Sequence, residues 1–397
     1  MNTTIEEISL KVKRIQESLE EKGLQNILIR SIPNTIYLTG SVIQGYLLVD
    51  KDLSLPLIFL ERTTNVLEGY PTDLIFNIRK PELIPDLLAG LGKSISSVTA
   101  LELGFLPVTD YQRLSKLSID GKVSEEDGSA IMREIRSVKT PQELTDIRRE
   151  IEVHMEIYRL VPELFKRGMT DKELQHLLEF QMRRRGSIGI FRCFGARMES
   201  FMGHLLTGDN ADVPAPYDFA LGGKGDFAMP MGATGIEILP GTTVMVDLAG
   251  NFGTFVTDIT RTYYLGDLPK EVVKAHQLSI ELNEWFAEYA KDGAAISEVY
   301  NHFVKRVEEE EFTPHFMGYT NQVKFVGHGF GIEINEPPVL TARYKGVFKE
   351  GMTIAVEPKF VFPGIGAVGI ENSYIIGRDG AENLSPLPTE LISLTEE

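Results

Sequence analysis

The chain has 397 residues, 43% hydrophobic and 24% charged, with a formal net charge of −17; this length predicts two domains, and the acidic balance argues against a nucleic-acid partner. Its single cysteine, Cys193, excludes an intrachain disulfide. The N-terminus lacks a signal-peptide pattern and no apolar run approaches the ~20 residues that span a bilayer, so we predict a cytoplasmic protein with no membrane partner.

Residues 1–127 alternate helical patterns with short apolar segments. Apolar residues at three- and four-residue spacing from Ile5 to Leu19 predict an amphipathic helix that ends near Gly23. Strand-sized segments follow: NILIR, TIYLTG, GYLLVD and LPLIFLE. A helix (PELIPDLLAGLG), a strand (SVTALELG) and another helix (PVTDYQRLSKLS) complete an α/β pattern. We therefore predict an α/β N-terminal domain over residues 1–127.

The polar run VSEEDGSA at 123–130 marks the predicted boundary, so a second domain is expected over residues 128–397. One helix should begin after Thr140, which is followed by Pro141 and Glu143, and another should run from Thr170 to Gly186.

A glycine-rich stretch at 193–242 is predicted to be irregular. Its LGGKGD segment lacks the Gly-Lys-Ser/Thr ending of a phosphate loop, which favours a flexible loop or a pocket wall. Trp285 lies in a helical pattern further along the chain and is expected in the core or an interface.

Two aspartates stand out in the segment TTVMVDLAGNFGTFVTDITRTYYLG at 242–266. Asp247 and Asp258 each end an apolar, strand-like run, and Gly250 and Gly253 between them suit a hairpin. Either aspartate alone would most often form a turn with its own backbone. On paired strands, however, both carboxylates could reach one place.

Further downstream, Glu357 follows an apolar run and Glu371 interrupts another, where burial is costly unless something compensates the charge. His328 stands between two glycines, which would let a bulky group approach the backbone. Taken singly, these are ordinary polar residues. Together with the aspartates they form a donor set that suits Mn, Co, Fe or Zn, and two divalent ions ~3.5–4 Å apart would balance four carboxylates and activate a water.

The order and spacing of these motifs resemble the pita-bread metallopeptidases, the creatinase/aminopeptidase P/prolidase-type family. The matching segments are VDLAG and TDITRT, GHGFGIEINEPP, AVEP and GIEN. The resemblance implies a creatinase-like α/β N-terminal domain and an α+β pita-bread catalytic domain. It also implies a homodimer and a metal-dependent Xaa-Pro peptidase of the aminopeptidase P/prolidase type, acting on a peptide or small-molecule substrate.

The resemblance assigns roles to the five matched residues. Asp247 would bind one ion, Asp258 and Glu371 would bridge both ions, and His328 and Glu357 would bind the other. A hydroxide shared by two divalent metal ions (Mn, Co, Zn or Fe) would attack the bond before proline, and Glu357 would also act catalytically by moving protons.

Three positions depart from the family pattern. Asn335 stands where a second histidine usually follows GHG, Met231 where a histidine usually follows proline, and Gly369 where an arginine often precedes the last glutamate. Because the replaced groups normally contact substrate, Asn335 and Met231 are predicted to be substrate-binding positions. His204 could supply a catalytic imidazole from another direction, or it could be an ordinary hydrogen-bonded histidine.

Two other functions remain open at this point. A metal-dependent hydrolase or lyase acting on a non-peptide substrate would explain the changed substrate contacts. A catalytically silent binding module of the same fold is the other, although a binding module has no physical reason to gather four carboxylates. The metal-free chemistry of creatinases is disfavoured because all five ligands are present and Met231 replaces the residue that resembles their catalytic histidine.

Overall fold

The computed structural model describes residues 3–62, 69–195 and 202–394, and it divides into two compact units, Met1–Arg136 and Ser137–Glu397. The sequence places the boundary earlier, at 127/128. The difference arises because Gly128 packs tightly in the first unit, where an added Cβ would lie 2.9 Å from both Ile27 Cδ1 and the Leu101 carbonyl oxygen. Within the described ranges no helix is long and apolar enough to cross a membrane.

The first unit combines a mixed sheet with surrounding helices. The helices are α1 (Ile5–Glu21), α2 (Ile32–Thr39), α3 (Ile84–Gly90), α4 (Val108–Ser115) and α5 (Gly128–Ser137), and the strands are β1 (Asn26–Ile29), β2 (Gly45–Asp50), β3 (Leu57–Leu60), β4 (Ile75–Asn77) and β5 (Thr99–Leu101). The strand order is β4-β3-β2-β1-β5, with the β1–β5 and β3–β4 pairs parallel. The predicted α/β character is confirmed.

One predicted strand of this unit is wrong. The TIYLTG segment belongs to helix α2, not to the sheet. Pro33 stands in the first turn, where its missing N–H costs nothing, and Gly40 ends the helix in the left-handed conformation at φ 67°. These end signals outweigh the β-branched composition of the segment. The predicted first helix is confirmed as α1.

The second unit contains the following elements. Its helices are α6 (Pro141–Arg159), α7 (Val161–Leu164), α8 (Asp171–Arg184), α9 (Lys270–Tyr289) and α10 (Ser297–Glu309). Its strands are β6 (Gly203–Thr207), β7 (Thr242–Asn251), β8 (Val256–Leu265), β9 (Gly327–Gly329), β10 (Glu336–Val339), β11 (Thr353–Val356), β12 (Lys359–Phe362), β13 (Gly366–Gly369), β14 (Asn372–Ile376), β15 (Ala381–Asn383) and β16 (Ile392–Ser393).

The predicted starts of α6 and α8 are confirmed, because both helices begin with a capping box. The Thr140 hydroxyl accepts from the Glu143 backbone N–H, and the Glu143 carboxylate accepts in return from the Thr140 N–H. Thr170 and Glu173 repeat this exchange at α8. Each pair satisfies two backbone donors that a helix would otherwise leave without a partner.

Three groups of strands make up the β-structure of the second unit. Strands β10-β9-β11-β14-β15 form one sheet, β16-β8-β7-β6 form another, and β12 pairs with β13. Helices α9 and α10 cover an apolar core that includes Phe286, Phe303 and Phe348. Trp285 is partly buried against this core and stacks on His302 with ring centroids 3.7 Å apart, as expected for its helix.

The stretch predicted to be irregular, 193–242, contains a strand. Residues 196–201 lie outside the described part of the chain, but Gly203–Thr207 forms β6 and pairs with β7 along its whole length. The adjacent apolar residues Leu205 and Leu206 in GHLLT were the available signal. It was obscured by the glycines around it, which in this structure allow close backbone approach rather than preventing a strand.

Glu150 on α6 holds the tip of the β7–β8 hairpin. Its two carboxylate oxygens accept from the backbone N–H groups of Thr254 and Phe255, each at 3.0 Å. An added Cβ at Gly253 would lie 2.3 Å from this carboxylate, so the chain passes close beside it. Burial raises the pKa of Glu150 to about 7 from an ordinary value of 4.5, even though these two hydrogen bonds lower it.

We expect Glu150→Gln to lower the free energy of unfolding by ~1–3 kcal/mol at pH 5, because glutamine has one acceptor oxygen for two backbone donors. The raised pKa means that Glu150 keeps its proton in the folded state. Its contribution is therefore complete below about pH 4.5 and is lost as pH rises through about 7, by up to ~3 kcal/mol.

The difference between wild type and Glu150→Gln should therefore shrink from pH 5 to pH 8 in urea unfolding. The exposed neighbour Glu152 provides the matched control, since Glu152→Gln should change stability little at either pH. A difference that stays constant across this range would contradict the assignment.

Candidate metal centre

The β7–β8 hairpin brings the two aspartates together. In the antiparallel register Asp247 is opposite Thr260, and Asp258 is opposite Ala249. Because side chains alternate along a strand, Asp247 and Asp258 lie diagonally across one face of the ribbon. Both are buried, and the predicted hairpin is confirmed.

The two glutamates are placed by strand ends. Glu357 follows β11, and its backbone N–H donates to the Val326 carbonyl at 3.0 Å. Glu371 lies between β13 and β14 and exchanges two backbone hydrogen bonds with Thr260, at 3.1 and 3.3 Å. The Thr260 hydroxyl also donates to the Glu371 carboxylate at 2.6 Å, which fixes that carboxylate beside the hairpin face carrying the aspartates.

His328 is the middle residue of β9, and its glycine neighbours allow other strands to approach. An added Cβ at Gly327 would lie 2.2 Å from the Ala355 carbonyl oxygen of β11, and one at Gly329 would lie 2.3 Å from that of Pro337 on β10. Nδ1 of His328 lies 3.2 Å from the Gly329 carbonyl, which can only accept a hydrogen bond. In the neutral ring this contact leaves the lone pair on Nε2, which faces Asp258 and Glu357.

Asp258, His328 and Glu371 offer donor atoms that all lie within 4.8 Å of one another. Nε2 of His328 is 3.6 Å from Asp258 Oδ2 and 3.7 Å from Glu357 Oε1. Two buried carboxylates and an oriented imidazole form a donor set that suits a hard or borderline divalent ion. The residues that meet here therefore fit a metal ion.

Lys359 also points into this carboxylate cluster, on the side of Asp247. Its Nζ lies 2.7 Å from Asp247 Oδ2, 2.7 Å from Glu357 Oε2 and 3.6 Å from Glu371 Oε2. The side chain is 1% exposed. The sequence reasoning missed this residue, although a lysine two positions after Glu357 on an extended segment must project to the same side.

The charges shift one another's ionisation in opposite directions on the two sides of the centre. Burial alone would raise the pKa of Asp247, but Lys359 and His204 hold it below its ordinary value. Burial would likewise lower the pKa of Lys359, yet the neighbouring carboxylates raise it well above its usual range. This pair is therefore an ammonium–carboxylate ion pair at neutral pH.

The other side of the centre is short of positive charge. Burial, together with repulsion from Glu371, Asp247 and Glu357, raises the pKa of Asp258 well above its ordinary value. Burial also raises the pKa of Glu371 to about 8, although Lys359 opposes the shift. Carboxylates that resist ionisation in this way are stabilised by a cation placed among them.

His204 lies on β6 directly opposite Asp247 in the register. Its Nε2 is 3.4 Å from Asp247 Oδ2, is buried, and forms no hydrogen bond with any residue in the described part of the chain. Burial lowers the pKa of His204, so the ring is neutral near pH 7. A buried imidazole nitrogen at the edge of the carboxylate cluster is available to a substrate or to a proton in transit.

The three positions that depart from the family pattern have different surroundings. The Asn335 side chain accepts from the Phe194 N–H and donates to the Phe194 carbonyl, both at 2.8 Å, so it fastens the 191–195 segment. Met231 is buried, and it is not among the described residues that line the pocket. Gly369 is the cross-strand partner of Lys359, and an added Cβ there would lie 2.5 Å from the Pro358 carbonyl oxygen.

A pocket opens above the carboxylates. Its polar lining comprises the four carboxylates of the cluster, His204, His328, Asn335 and Asp218. Its apolar lining includes Phe191, Phe219, Ala249, Phe325 and Ile334. A pocket that combines an acidic, metal-binding cluster with apolar side chains suits a small substrate that presents a carbonyl to the cluster and a ring or short side chain to the apolar lining.

Comparison with known families covers both units. The family described as "Metallopeptidase family M24" matches residues 145–378, which make up more than half of the chain. The description "Creatinase/Prolidase N-terminal domain" matches residues 11–138. An Xaa-Pro dipeptidase of Pyrococcus horikoshii is 24% identical over 385 residues, which cover 96% of this chain and 98% of that protein.

Solved structures of other proteins show a similar fold. An Xaa-Pro dipeptidase from Bacillus anthracis superposes with a TM-score of 0.78 at 21% identity, covering 97% of this chain and 99% of that one. An X-Pro aminopeptidase from Thermotoga maritima gives 0.75 at 20% identity, covering 96% and 99%. At these identities the likeness concerns the fold, and it confirms the predicted creatinase-like N-terminal domain and pita-bread catalytic domain.

Proposed function

The chain belongs to metallopeptidase family M24, and from this premise we propose that it is a metal-dependent peptidase that hydrolyses the bond before proline. The family implies a divalent metal. The observation that carries the proposal is the meeting of donor atoms from Asp258, His328 and Glu371 within 4.8 Å of one another, in a pocket that also has apolar side chains in its lining. The Xaa-Pro dipeptidase that matches nearly the whole chain supports the substrate class.

Asp258, His328 and Glu371 would hold the metal, with Glu357 Oε1 on the same side of the cluster. Manganese, cobalt, zinc and iron all accept such ligands. When bound, the metal supplies a Lewis acid that polarises a carbonyl and lowers the pKa of water. Asp247 completes the set of five predicted ligands, and its Oδ2 is hydrogen-bonded to Lys359.

Side chains of the protein would carry out the proton transfers. Hydrolysis adds the oxygen of water to the carbonyl carbon before proline, breaks the C–N bond and moves one proton of water to the proline nitrogen. Glu357 would accept that proton and release it to the leaving nitrogen; its Oε1 lies 3.7 Å from His328 Nε2, beside the proposed metal ligands. The apolar side chains that line the pocket, among them Phe191 and Phe219, would accommodate the proline ring.

His204 would act as a second catalytic group, with Nε2 hydrogen-bonding the substrate. We expect His204→Gln to lower kcat by on the order of 10²-fold while the metal content stays unchanged. Glutamine retains hydrogen bonding but cannot exchange a proton at neutral pH. His302 is half-buried and stacks on Trp285, far from His204 in the sequence. His302→Gln therefore provides the control. Unchanged kinetics in His204→Gln would assign this histidine a structural role.

The proposed substrate class is tested with purified protein loaded with Mn²⁺, Co²⁺ or Zn²⁺. Release of free proline from Xaa-Pro dipeptides is compared with cleavage of Xaa-Ala dipeptides and of longer Xaa-Pro-Xaa peptides. We expect cleavage of a proline-containing series and little cleavage of Xaa-Ala. Protein that holds metal but cleaves neither the Xaa-Pro dipeptides nor the longer Xaa-Pro-Xaa peptides would overturn the proposal. Hydrolysis or elimination of a non-peptide substrate would then be the remaining reaction.

The homodimer and the cytoplasmic location remain predictions. Light scattering coupled to gel filtration would test the first, with an expected mass of twice that of the chain. Localisation of the tagged protein in its own cells would test the second.

A further inference from the structure

Lys359 is a feature of the centre that a two-ion arrangement does not explain. Its ammonium lies among the same carboxylate oxygens that a pair of cations would use, 2.7 Å from Asp247 Oδ2 and 2.7 Å from Glu357 Oε2. We propose that Lys359 takes the place of one of the two cations, so that the chain binds a single divalent ion between Asp258, His328 and Glu371. The inference rests on the proposed metal dependence and adds the number of ions to it.

The first support is the division of the donor atoms. Within the described residues, the group whose donors lie close enough for a shared ion consists of Asp258, His328 and Glu371. Asp247 is not in that group, and the ammonium of Lys359 is bonded to its Oδ2. Glu357 divides its two oxygens, with Oε2 bonded to the ammonium and Oε1 facing His328.

The second support is the burial of Lys359, which confines its ammonium to the carboxylate cluster. Lys359 begins β12, its carbonyl accepts from the Met317 N–H at 2.8 Å, and its own N–H donates to Met317 Sδ at 3.4 Å. The residues on either side, Pro358 and Phe360, are buried, as is the lysine side chain. Withdrawal of the ammonium from the carboxylates would place an unpaired charge inside the apolar core, which is strongly unfavourable.

The third support is electrostatic. A divalent ion beside Asp247 would lie within a few ångströms of a buried ammonium, where like charges repel strongly because little water screens them. An ion between Asp258, His328 and Glu371 reduces this repulsion, because Glu371 Oε2 lies 3.6 Å from Nζ, whereas Asp247 Oδ2 lies 2.7 Å from it. The ammonium and one ion together supply three positive charges to four carboxylates. Lys359 is therefore a positioning residue that acts through the carboxylates it contacts. It is not among the described residues that line the pocket.

The number of ions is measured directly on the wild-type protein. The protein is saturated with Mn²⁺, freed of excess metal by gel filtration and analysed for manganese by elemental mass spectrometry. We expect about one ion per chain and the six-line electron paramagnetic resonance spectrum of an isolated ion. Two ions per chain, the spectrum of a coupled pair, or protein without metal would each overturn the inference.

Two variants sharpen the test. Asp247→Asn removes a charge paired with Lys359, so its manganese content should equal that of wild type, whereas a wild-type centre with two ions would lose about half of its manganese on this substitution. Lys359→Ala opens space beside Asp247 and Glu357, so its capacity should rise to about two ions. A folded Lys359→Ala protein that still binds one ion, or Asp247→Asn without metal, counts against the proposal. If Lys359→Ala does not fold, the wild-type ratio and spectrum still decide.

The metal ratio is independent of substrate choice. A protein with one bound ion that fails to cleave any Xaa-Pro peptide would retain this inference and lose the proposed function. A protein with two ions that cleaves Xaa-Pro peptides would do the reverse.

Discussion

Glu371→Gln is expected to lower kcat/KM by roughly 10³-fold or more and to remove most of the bound metal. The change keeps the size of the side chain and an oxygen that can accept from the Thr260 hydroxyl, which donates to Glu371 at 2.6 Å. It removes a negative charge from a group of three donors, and a neutral amide oxygen is a weaker ligand for a divalent ion. Asp258→Asn should have an effect of the same order.

The measurement combines elemental analysis of the purified variant with kinetics on an Xaa-Pro dipeptide. Glu382→Gln is the matched control, because Glu382 is exposed on β15 and pairs with Arg148 at the surface, where such pairs contribute ~0–1 kcal/mol. Full metal content in Glu371→Gln or in Asp258→Asn would remove that residue from the ligand set.

Chelation of the metal should make the stability of the protein depend strongly on pH. In the metal-free protein burial raises the pKa of Glu371 to about 8, from 4.5 ordinarily, and the pKa of Asp258 is raised too. A raised pKa in the folded state means stability that is complete below the ordinary value and is lost as pH rises through about 8. For Glu371 alone the loss is on the order of 4 kcal/mol.

Bound metal reverses this dependence, because it binds the ionised carboxylates and stabilises only the folded state, by ~4 kcal/mol at a thousand times its Kd. The difference in melting temperature between metal-loaded and chelated protein should therefore grow from pH 6 to pH 8.5. Thermal unfolding with Mn²⁺ or EDTA measures it. Glu371→Gln should show a much smaller increase, and a wild-type difference that is constant with pH would contradict the assignment.

Local sequence signals were sufficient where the local chain dominates the outcome. Thr140 and Thr170 begin helices because hydroxyl, backbone and a following glutamate interact within four residues. The same holds for the β7–β8 hairpin, where two strands adjacent in the sequence and a short glycine-containing turn place Asp247 and Asp258 on one face, although Glu150 from α6 also binds its tip.

Sequence signals were insufficient where contacts between distant segments determine the outcome. TIYLTG is an exception, because the signals that made it helical, Pro33 and Gly40, are local and were outweighed in the prediction by its strand-like composition. GHLLT became a strand because β7 offers it a partner, and that pairing sets His204 opposite Asp247. Asn335 lines the pocket and stays a predicted substrate-binding position, but no local pattern indicates that its amide also bonds to the Phe194 backbone, 141 residues earlier in the chain.

The sequence by itself determined the family and its donor set of four carboxylates and one imidazole, because ligand identity and order along the chain are properties of the sequence. The tertiary structure alone decided how these donors are shared. It brings Asp258, His328 and Glu371 together and gives Asp247 and part of Glu357 to the Lys359 ammonium. The physical reason is that a buried charge must find its counter-charge in space, and neighbours in space are set by strand pairing rather than by distance along the chain.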